Sequence, residues 1–325
     1  MKKVLVTGAS GFIGQALSQS LLNSGKSIRG TFRFKKLISK NIKAEYVPVG
    51  DINNKTNWKN ALVDIDCVIH CAGRTHIMNE EKNSEILKIY RSTNVDGTKQ
   101  LAKQAAEAGV KKIIFLSSVK VIGERTEHRC DNLSSNKQYI FSHKDDPNPQ
   151  DPYSVSKLEA EKILWEISYK TGLEVVVVRL PLVYGHGVKG NLSRLMKLIK
   201  FGLPLPFNLV NNTRSLIGID NLVDLLIRCI DCPKAVGKTF LVSDGEDLST
   251  PKLIYHIASS MKQKVYLFSV PIFLLKFIGF IFGKQKEIDR LAGSLKIDNS
   301  YTKEILDWTP PISTEEGIRR MVQGK

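Results

Sequence analysis

Short apolar runs alternate with longer segments of helical periodicity through the first half of the chain. The runs 3–7, 27–32, 45–48, 67–70, 112–117 and 174–179 predict strands, and 12–23, 85–108 and 153–171 predict helices between them. Strand–helix alternation of this kind builds βαβ units, so the expected fold is α/β with a doubly wound parallel sheet. The polar stretch 123–151 predicts a long loop. After Arg179 the alternation weakens and Gly185, Gly187, Gly190, Pro204 and Pro206 punctuate the chain. A first domain over 1–178 is therefore expected, followed by a smaller, mixed C-terminal lobe over 179–325. That lobe should be discontinuous, with a strand at 239–242 returning to the main sheet. The most apolar stretch, 265–282, is interrupted by Pro271, Lys276 and Gly279 and falls short of the ~20 clean residues a membrane span needs. It reads as a strand ending near Pro271 and then an apolar helix packed in a core or subunit contact. Peripheral membrane contact through 271–282, helped by Lys284 and Lys286, is the second reading.

Composition narrows the class. The chain has 325 residues, 42% hydrophobic and 25% charged, which excludes disorder and collagen-like repeats. Against 32 acidic residues stand 48 Lys and Arg, a net charge of +16 that suits nucleic acid, a phospholipid surface or phosphorylated small molecules. No nucleic-acid motif or aromatic–basic interleaving accompanies it, so no nucleic-acid partner is expected. Five cysteines, odd in number and scattered, fit reduced thiols, and Cys229 with Cys232 reads as a structural pair. The six histidines show no metal spacing, and no metal is expected. Only Val4-Leu5-Val6 follows the opening lysines, far less than a signal-peptide core, so a cytoplasmic protein is expected.

Thr7-Gly8-Ala9-Ser10-Gly11-Phe12-Ile13-Gly14 follows the first strand and opens a helix. Glycine permits the tight turn, close backbone approach to a pyrophosphate and close helix–strand packing, and the N–H groups of the helix start face the anion. The spacing is GxxGxxG rather than GxGxxG, and three glycines serving packing alone are the alternative. In its strand–turn–helix setting the motif points to a Rossmann sheet that binds a dinucleotide. An NAD site carries a carboxylate at the end of the second strand. Here that strand ends Phe32-Arg33-Phe34-Lys35-Lys36, and Arg33 with Lys35 or Lys36 suits a 2′-phosphate. NADP(H) is expected ahead of NAD(H), with a solvated cationic loop as the alternative. Asp51 is placed to accept from the adenine amino group, and Cys71-Ala72-Gly73 ends a strand where the middle of the cofactor belongs.

Tyr153 and Lys157 stand four apart at the start of a helix and so share a face. A phenol titrates near ~10, and a nearby ammonium should lower it enough for proton exchange. Ser118 follows a predicted strand, so the three side chains should converge at the carboxyl edge of the sheet, beside Gly8.

Gly8, Gly11 and Gly14, Asp51, Asn94-Val95-Asp96-Gly97-Thr98, Ser117-Ser118 with Gly123, Tyr153 with Lys157, and Arg179-Leu180-Pro181-Leu182-Val183-Tyr184-Gly185 together resemble the extended short-chain dehydrogenases/reductases over essentially the whole chain. The resemblance implies an NAD(P)-dependent enzyme acting on a nucleotide sugar. Lys157 would bond the nicotinamide ribose, Tyr153 would exchange the proton on the sugar O4, and Ser118, with Ser117 as the other candidate, would bond that oxygen. It implies further cofactor contacts from Ser10, Phe12, Ile13, Ile52, Asn94 and Pro181. Val119 and Lys120 stand where the dehydratases of this family carry an Asp-Glu pair, which speaks against dehydration.

Asn191, Arg214 and Arg290 resemble the nucleotide-diphosphate cleft of the family, surface ion pairs being the alternative for the arginines, and His76 and Lys120 are expected at the sugar. Segments 74–80, 118–121 and 241–251 resemble the UDP-N-acetylquinovosamine dehydrogenases. The expected reaction is accordingly reduction of the 4-keto group of a UDP-2-acetamido-2,6-dideoxyhexulose, in the biosynthesis of surface polysaccharide such as the lipopolysaccharide O-antigen. A 4-epimerase acting on UDP-glucose or a UDP-N-acetylhexosamine is the alternative. A non-catalytic NADP-binding or RNA-binding protein is the distant one, disfavoured because Ser118, Tyr153 and Lys157 are all present. A homodimer is expected.

Overall fold

The computed structural model describes residues 2–33, 44–75, 83–126, 139–283 and 285–324. Seven strands form one parallel sheet: β1 (Lys3–Thr7), β2 (Ser27–Phe32), β3 (Glu45–Pro48), β4 (Cys67–His70), β5 (Lys112–Ser118), β6 (Glu174–Leu180) and β9 (Lys238–Leu241). Their order is β3-β2-β1-β4-β5-β6-β9, and every neighbouring pair is parallel. The reversal of strand order between β1 and β4 opens a crevice at their carboxyl ends, the place where doubly wound sheets bind ligands. Three short strands, β7 (Leu182–Tyr184), β8 (Arg214–Gly218) and β10 (Asp247–Leu248), make a mixed second sheet.

The strands are near-continuous apolar runs because both faces of the large sheet are covered. In β1, Val4 and Val6 point to one face and Leu5 to the other, all fully buried. The Val4 face packs on α1 (Phe12–Asn23) through Leu17 and Leu21, and on α7 (Ile219–Asp231) through Leu222 and Leu226. The Leu5 face packs on α4 (Gly97–Glu107) through Leu101 and Ala105, and on α5 (Pro152–Thr171) through Leu164. The short α2 (Lys59–Leu62) closes the same layer. A third core gathers α6 (Asn191–Lys200), α8 (Thr250–Ser260), α12 (Thr314–Gln323) and the second sheet around Leu195, Ile254, Leu216 and Ile318. Trp308, just after α11 (Ser300–Leu306), returns to the first core.

Three local expectations change. The predicted helix over 85–108 is two helices, α3 (Asn83–Tyr90) and α4, joined by a π-helical turn at Arg91–Asp96. That widened turn lets the Asn94 side chain reach the backbone of Arg74. Segment 265–270 forms a single bridge, Leu205 to Leu267, rather than a strand. Of the core or subunit contact expected for the apolar helix α9 (Ile272–Ile281), the chain's own core is not its place: Leu275 and Gly279 alone on it are buried, against α10 (Gln285–Ala292), and most of the rest is exposed.

Candidate active site

The glycine turn sits at the mouth of the crevice. Gly8 has φ +66°, and a Cβ there would meet the Ala72 backbone at 2.9 Å. At Gly14 a Cβ would lie 2.2 Å from the Gly8 carbonyl, so its absence is what lets α1 close on β1. Gly11 precedes α1 without a side-chain cap, and Ser10, Phe12 and Ile13 flank it half-buried. This cradle, which a single Cβ would fill, fits the pyrophosphate of a dinucleotide.

Thr7 closes the ends of β1 and β4. Its hydroxyl accepts from the Ala72 N–H at 3.1 Å and lies 2.7 Å from His70 Nδ1. His70 Nε2 lies 3.0 Å from the Thr98 hydroxyl, so both ring nitrogens have a hydroxyl partner, one nitrogen donating and the other accepting in the neutral ring. Burial, reinforced by the charge of Lys157, pushes this imidazole down to about 3, so it stays neutral. Asn94 clamps the chain beyond β4: its Oδ1 accepts from the Arg74 N–H at 2.8 Å, while its Nδ2 donates to the Arg74 carbonyl and the Ser156 hydroxyl. Cys71, Ala72 and Gly73 are thereby held across from Lys157, with Ile52 packed at Gly97.

At the end of β2, Arg33 stands in an exposed ion pair. Arg33 Nε lies 3.0 Å from Asp51 Oδ1, so the residue expected to read a 2′-phosphate is paired with the carboxylate expected at the adenine. A carboxylate does stand at this corner, supplied from beyond β3, which a reading of β2 alone could not show. Lys36 and His76 lie outside the described residues.

Strand alternation separates the two serines. Ser117 donates to Glu161, which is held in a buried pair with Arg179 at 2.7 Å. Ser118, on the other face, accepts from the Lys120 N–H and is a hydrogen-bond partner of the Tyr153 phenol. Tyr153 is placed by the start of α5, where Asp151 and Ser154 form a reciprocal cap and Pro152 occupies the first turn. Its ring packs edge-on against Tyr90 at 5.8 Å. Lys157, one turn on, donates to the Leu116 carbonyl at 2.8 Å and sits 4.5 Å from the centroid of Phe115.

The electrostatics differ from the expectation of a phenol lowered by Lys157. Burial, then the charge of Asp151, raise the Tyr153 phenol above its ordinary value, and the Ser118 hydrogen bond only partly offsets them. Burial likewise brings Lys157 down to about 8, against the pull of Glu161. The ammonium is directed at a backbone carbonyl and an aromatic face.

The residues expected at the sugar and nucleotide divide. Lys120 is held between Glu124 at 2.7 Å and Asp151 at 2.6 Å. Burial would raise Asp151, but Lys120 and the Ser154 N–H outweigh it and hold the carboxyl at about 2. Lys120 thus positions the start of α5. Arg214 Nη1 donates to the carbonyls of Arg290 and Gly293 at 2.8 and 2.9 Å, which joins β8 to the last turn of α10 and brings the two arginines together. Arg290 itself is exposed, as is Asn191 at the start of α6, and Pro181 links β6 to β7. Tyr90, Asp151, Ser156, Glu161 and Thr98 escaped the sequence reading as parts of this site. Glu161 had a signal: it stands four residues beyond Lys157, on the same helical face.

The family described as the NAD dependent epimerase/dehydratase family matches residues 4–243. The chain is 42% identical over 324 residues to the UDP-glucose 4-epimerase of Vibrio cholerae, covering 99% of this chain and 95% of that one. It is 25% identical to the N-acetyl-alpha-D-glucosaminyl-diphospho-ditrans,octacis-undecaprenol 4-epimerase of Escherichia coli O157:H7, over 82% of this chain and 75% of the relative. Among solved structures, the UDP-glucuronic acid 4-epimerase from Bacillus cereus in complex with NAD superposes with a TM-score of 0.76 at 21% identity, over 99% of this chain and 97% of that one.

Proposed function

The chain belongs to the NAD dependent epimerase/dehydratase family, and from that premise we propose that it is a UDP-sugar 4-epimerase that retains NAD(H) through the reaction. The observation that carries this reading is the near full-length likeness to the Vibrio cholerae UDP-glucose 4-epimerase. The site supports it: Ser118 and Tyr153 meet at the carboxyl edge of the sheet, beside the glycine cradle. Asp51, in an exposed ion pair with Arg33, puts a carboxylate at the corner where an NAD site carries one, and the superposed Bacillus cereus 4-epimerase holds NAD, which favours NAD(H) over NADP(H).

Gly8, Gly11 and Gly14 would hold the pyrophosphate, Asp51 the adenine side, and Lys157 the nicotinamide ribose, next to the segment that Asn94 clamps. When bound, the nicotinamide supplies hydride uptake and return at C4 of the sugar. The work of the chain is to move the proton and orient the sugar. Tyr153 acts as its phenolate: burial holds the phenol above its ordinary value, and it would lose that proton more readily beside the positive charge of an oxidised nicotinamide bound next to Lys157. Tyr153 then takes the O4 proton as the carbonyl forms and gives it back once the keto sugar has turned over, while Ser118 holds that oxygen. Lys120 and Asp151 fix the helix start that aims the phenol. Val119 and Lys120 offer no carboxylate for removal of water, which separates this chemistry from dehydration.

The test is interconversion of UDP-glucose and UDP-galactose, and of the UDP-N-acetylhexosamines, by purified protein without added cofactor, followed by proton NMR. C4 epimers and a nicotinamide released only on denaturation support the reading. No epimer, with stoichiometric oxidation of NADPH by a UDP-2-acetamido-2,6-dideoxy-4-hexulose, would replace it with the 4-reductase.

A further inference from the structure

Helix α9 is apolar almost all round, and most of it faces solvent. Phe273, Phe277, Phe280 and Ile281 stand at i, i+4, i+7 and i+8 and share one face, with Phe273 75% exposed. The opposite stripe is fixed: a Cβ at Gly279 would lie 2.7 Å from Ile288 of α10. Tethering on that side holds the phenyl rings out in water. The strip before α9 extends the surface. The Phe268 N–H donates to the Leu205 carbonyl, and the Leu205 N–H donates to that of Tyr266. Around this junction Tyr266, Phe268, Phe201, Leu203 and Leu209 are exposed. Clusters of large apolar side chains on a protein surface mark interaction sites.

Charge identifies the occupant. The sequence has no Asp or Glu between Glu174 and Asp220, and none between Asp247 and Glu287. The two acid-free stretches meet at the Leu205–Leu267 bridge. They carry Arg194, Lys197, Lys200, Lys262, Lys264 and Lys276, all exposed. A second copy docked two-fold through this face would set these cations against one another with no carboxylate from either stretch to meet them. A bilayer with anionic headgroups offers an apolar interior for the rings and negative charge for the rim. Among the described residues no helix is long and apolar enough to cross a membrane, so α9 would lie along the surface. Lys276, half-exposed on the helix flank, lies 3.9 Å from Asp289 of α10, the one carboxylate paired with these cations among the described residues, and its flexible stem can swing from there to the headgroups.

We propose that this face docks the protein on the surface of an anionic phospholipid bilayer, with Phe273, Phe277 and Phe280 inserted at the headgroup–acyl boundary. Helix α10, which carries Arg290 and is bonded by Arg214, is packed against the inner side of α9. The candidate diphosphate lobe is then held against the bilayer.

The experiment is co-sedimentation of the full chain with phosphatidylcholine vesicles, with and without phosphatidylglycerol, at low and high salt. Binding is expected only to the phosphatidylglycerol vesicles and is expected to fall with salt. The double variant Phe277→Asp/Phe280→Asp should bind more than about tenfold more weakly while keeping its turnover of a soluble UDP-sugar. The second variant, Lys262→Glu/Lys264→Glu, should weaken binding and flatten its salt dependence. Absence of binding to the anionic vesicles, or equal binding by the phenylalanine variant, overturns the proposal. So does a wild-type oligomer that this variant converts to monomers without vesicle binding, which would make the face a contact between copies. Because epimerisation of soluble substrate is read separately, failure here leaves the catalytic reading standing.

Discussion

Replacing Lys157 with methionine should stabilise the protein while destroying its chemistry. The ammonium is buried against Leu116 and Phe115, and its fall from the ordinary 10.5 to about 8 measures how poorly the site tolerates the charge. At about 1.4 kcal/mol per pH unit, that fall sets an upper bound of about 3 kcal/mol on the penalty at neutral pH. Methionine matches the stem, and loses the charge-assisted bond to the Leu116 carbonyl, worth about 1.5 kcal/mol. The net expectation is a gain of about 1–2 kcal/mol at pH 7. The sign follows from proton linkage. Between about pH 8 and 10.5 the unfolded chain holds the lysine proton and the folded chain has released it, so wild-type stability rises with pH across that window and the advantage of the variant fades. Urea unfolding of both proteins at pH 7 and pH 10, beside a turnover assay, tests this. A variant less stable than wild type at pH 7, or an equal difference at both pH values, refutes the account of Lys157 as a strained cation.

Tyr153→Phe should lower turnover by about 100- to 10,000-fold, as expected for loss of a proton-transfer group, with bound nicotinamide unchanged by absorbance; normal turnover would remove Tyr153 from the mechanism. Gly14→Ala puts a methyl 2.2 Å from the Gly8 carbonyl and should yield protein that purifies without dinucleotide; full retention would contradict the packing role of that glycine. Glu161→Gln leaves the Arg179 guanidinium buried without its charge partner and should cost about 3–5 kcal/mol by urea unfolding, whereas a change under about 1 kcal/mol would show that the pair is dispensable. His70, held neutral by burial down to about 3, should make wild-type stability fall as pH drops from 6.5 toward 3, because only the unfolded chain takes up the proton. In His70→Asn that part of the acid slope should vanish, and an unchanged slope would overturn the buried neutral imidazole.

The strands were legible because a parallel sheet buried on both faces writes itself as unbroken apolar runs: β1, β2, β3 and β4 begin and end where the pattern places them. Tyr153 and Lys157 were legible for a similar reason, since one helical turn converts a spacing of four into adjacency. What the pattern could not carry was pairing across long stretches of chain. Whether Arg33 is free for a phosphate depends on Asp51, eighteen residues on and on the far side of another strand. Whether Lys120 is free for a substrate depends on Asp151 at the cap of α5, and the partner of Asn94, in the π turn at Arg91–Asp96, is the backbone of Arg74. In each case a polar residue with several possible partners is settled by the one that tertiary packing brings within reach.

The same logic explains why hydrophobicity alone left the cover of α9 open. An apolar run predicts burial only if another apolar face is available to cover it, and here α10 offers contact for one stripe, at Leu275 and Gly279. Apolar content is a property of the segment, whereas burial is a property of the pair. The remaining face keeps its phenylalanines in water on a stretch of chain that carries cations and no carboxylate, with Asp289 of α10 paired to Lys276 at its flank. Exposing those rings does nothing for the stability of the isolated chain, since burying apolar surface is what stabilises a fold. They gain a physical role only if a surface outside the chain supplies the missing apolar partner. Electrostatics then selects among such surfaces, because the acid-free stretches around Leu205 and Leu267 favour a negative one.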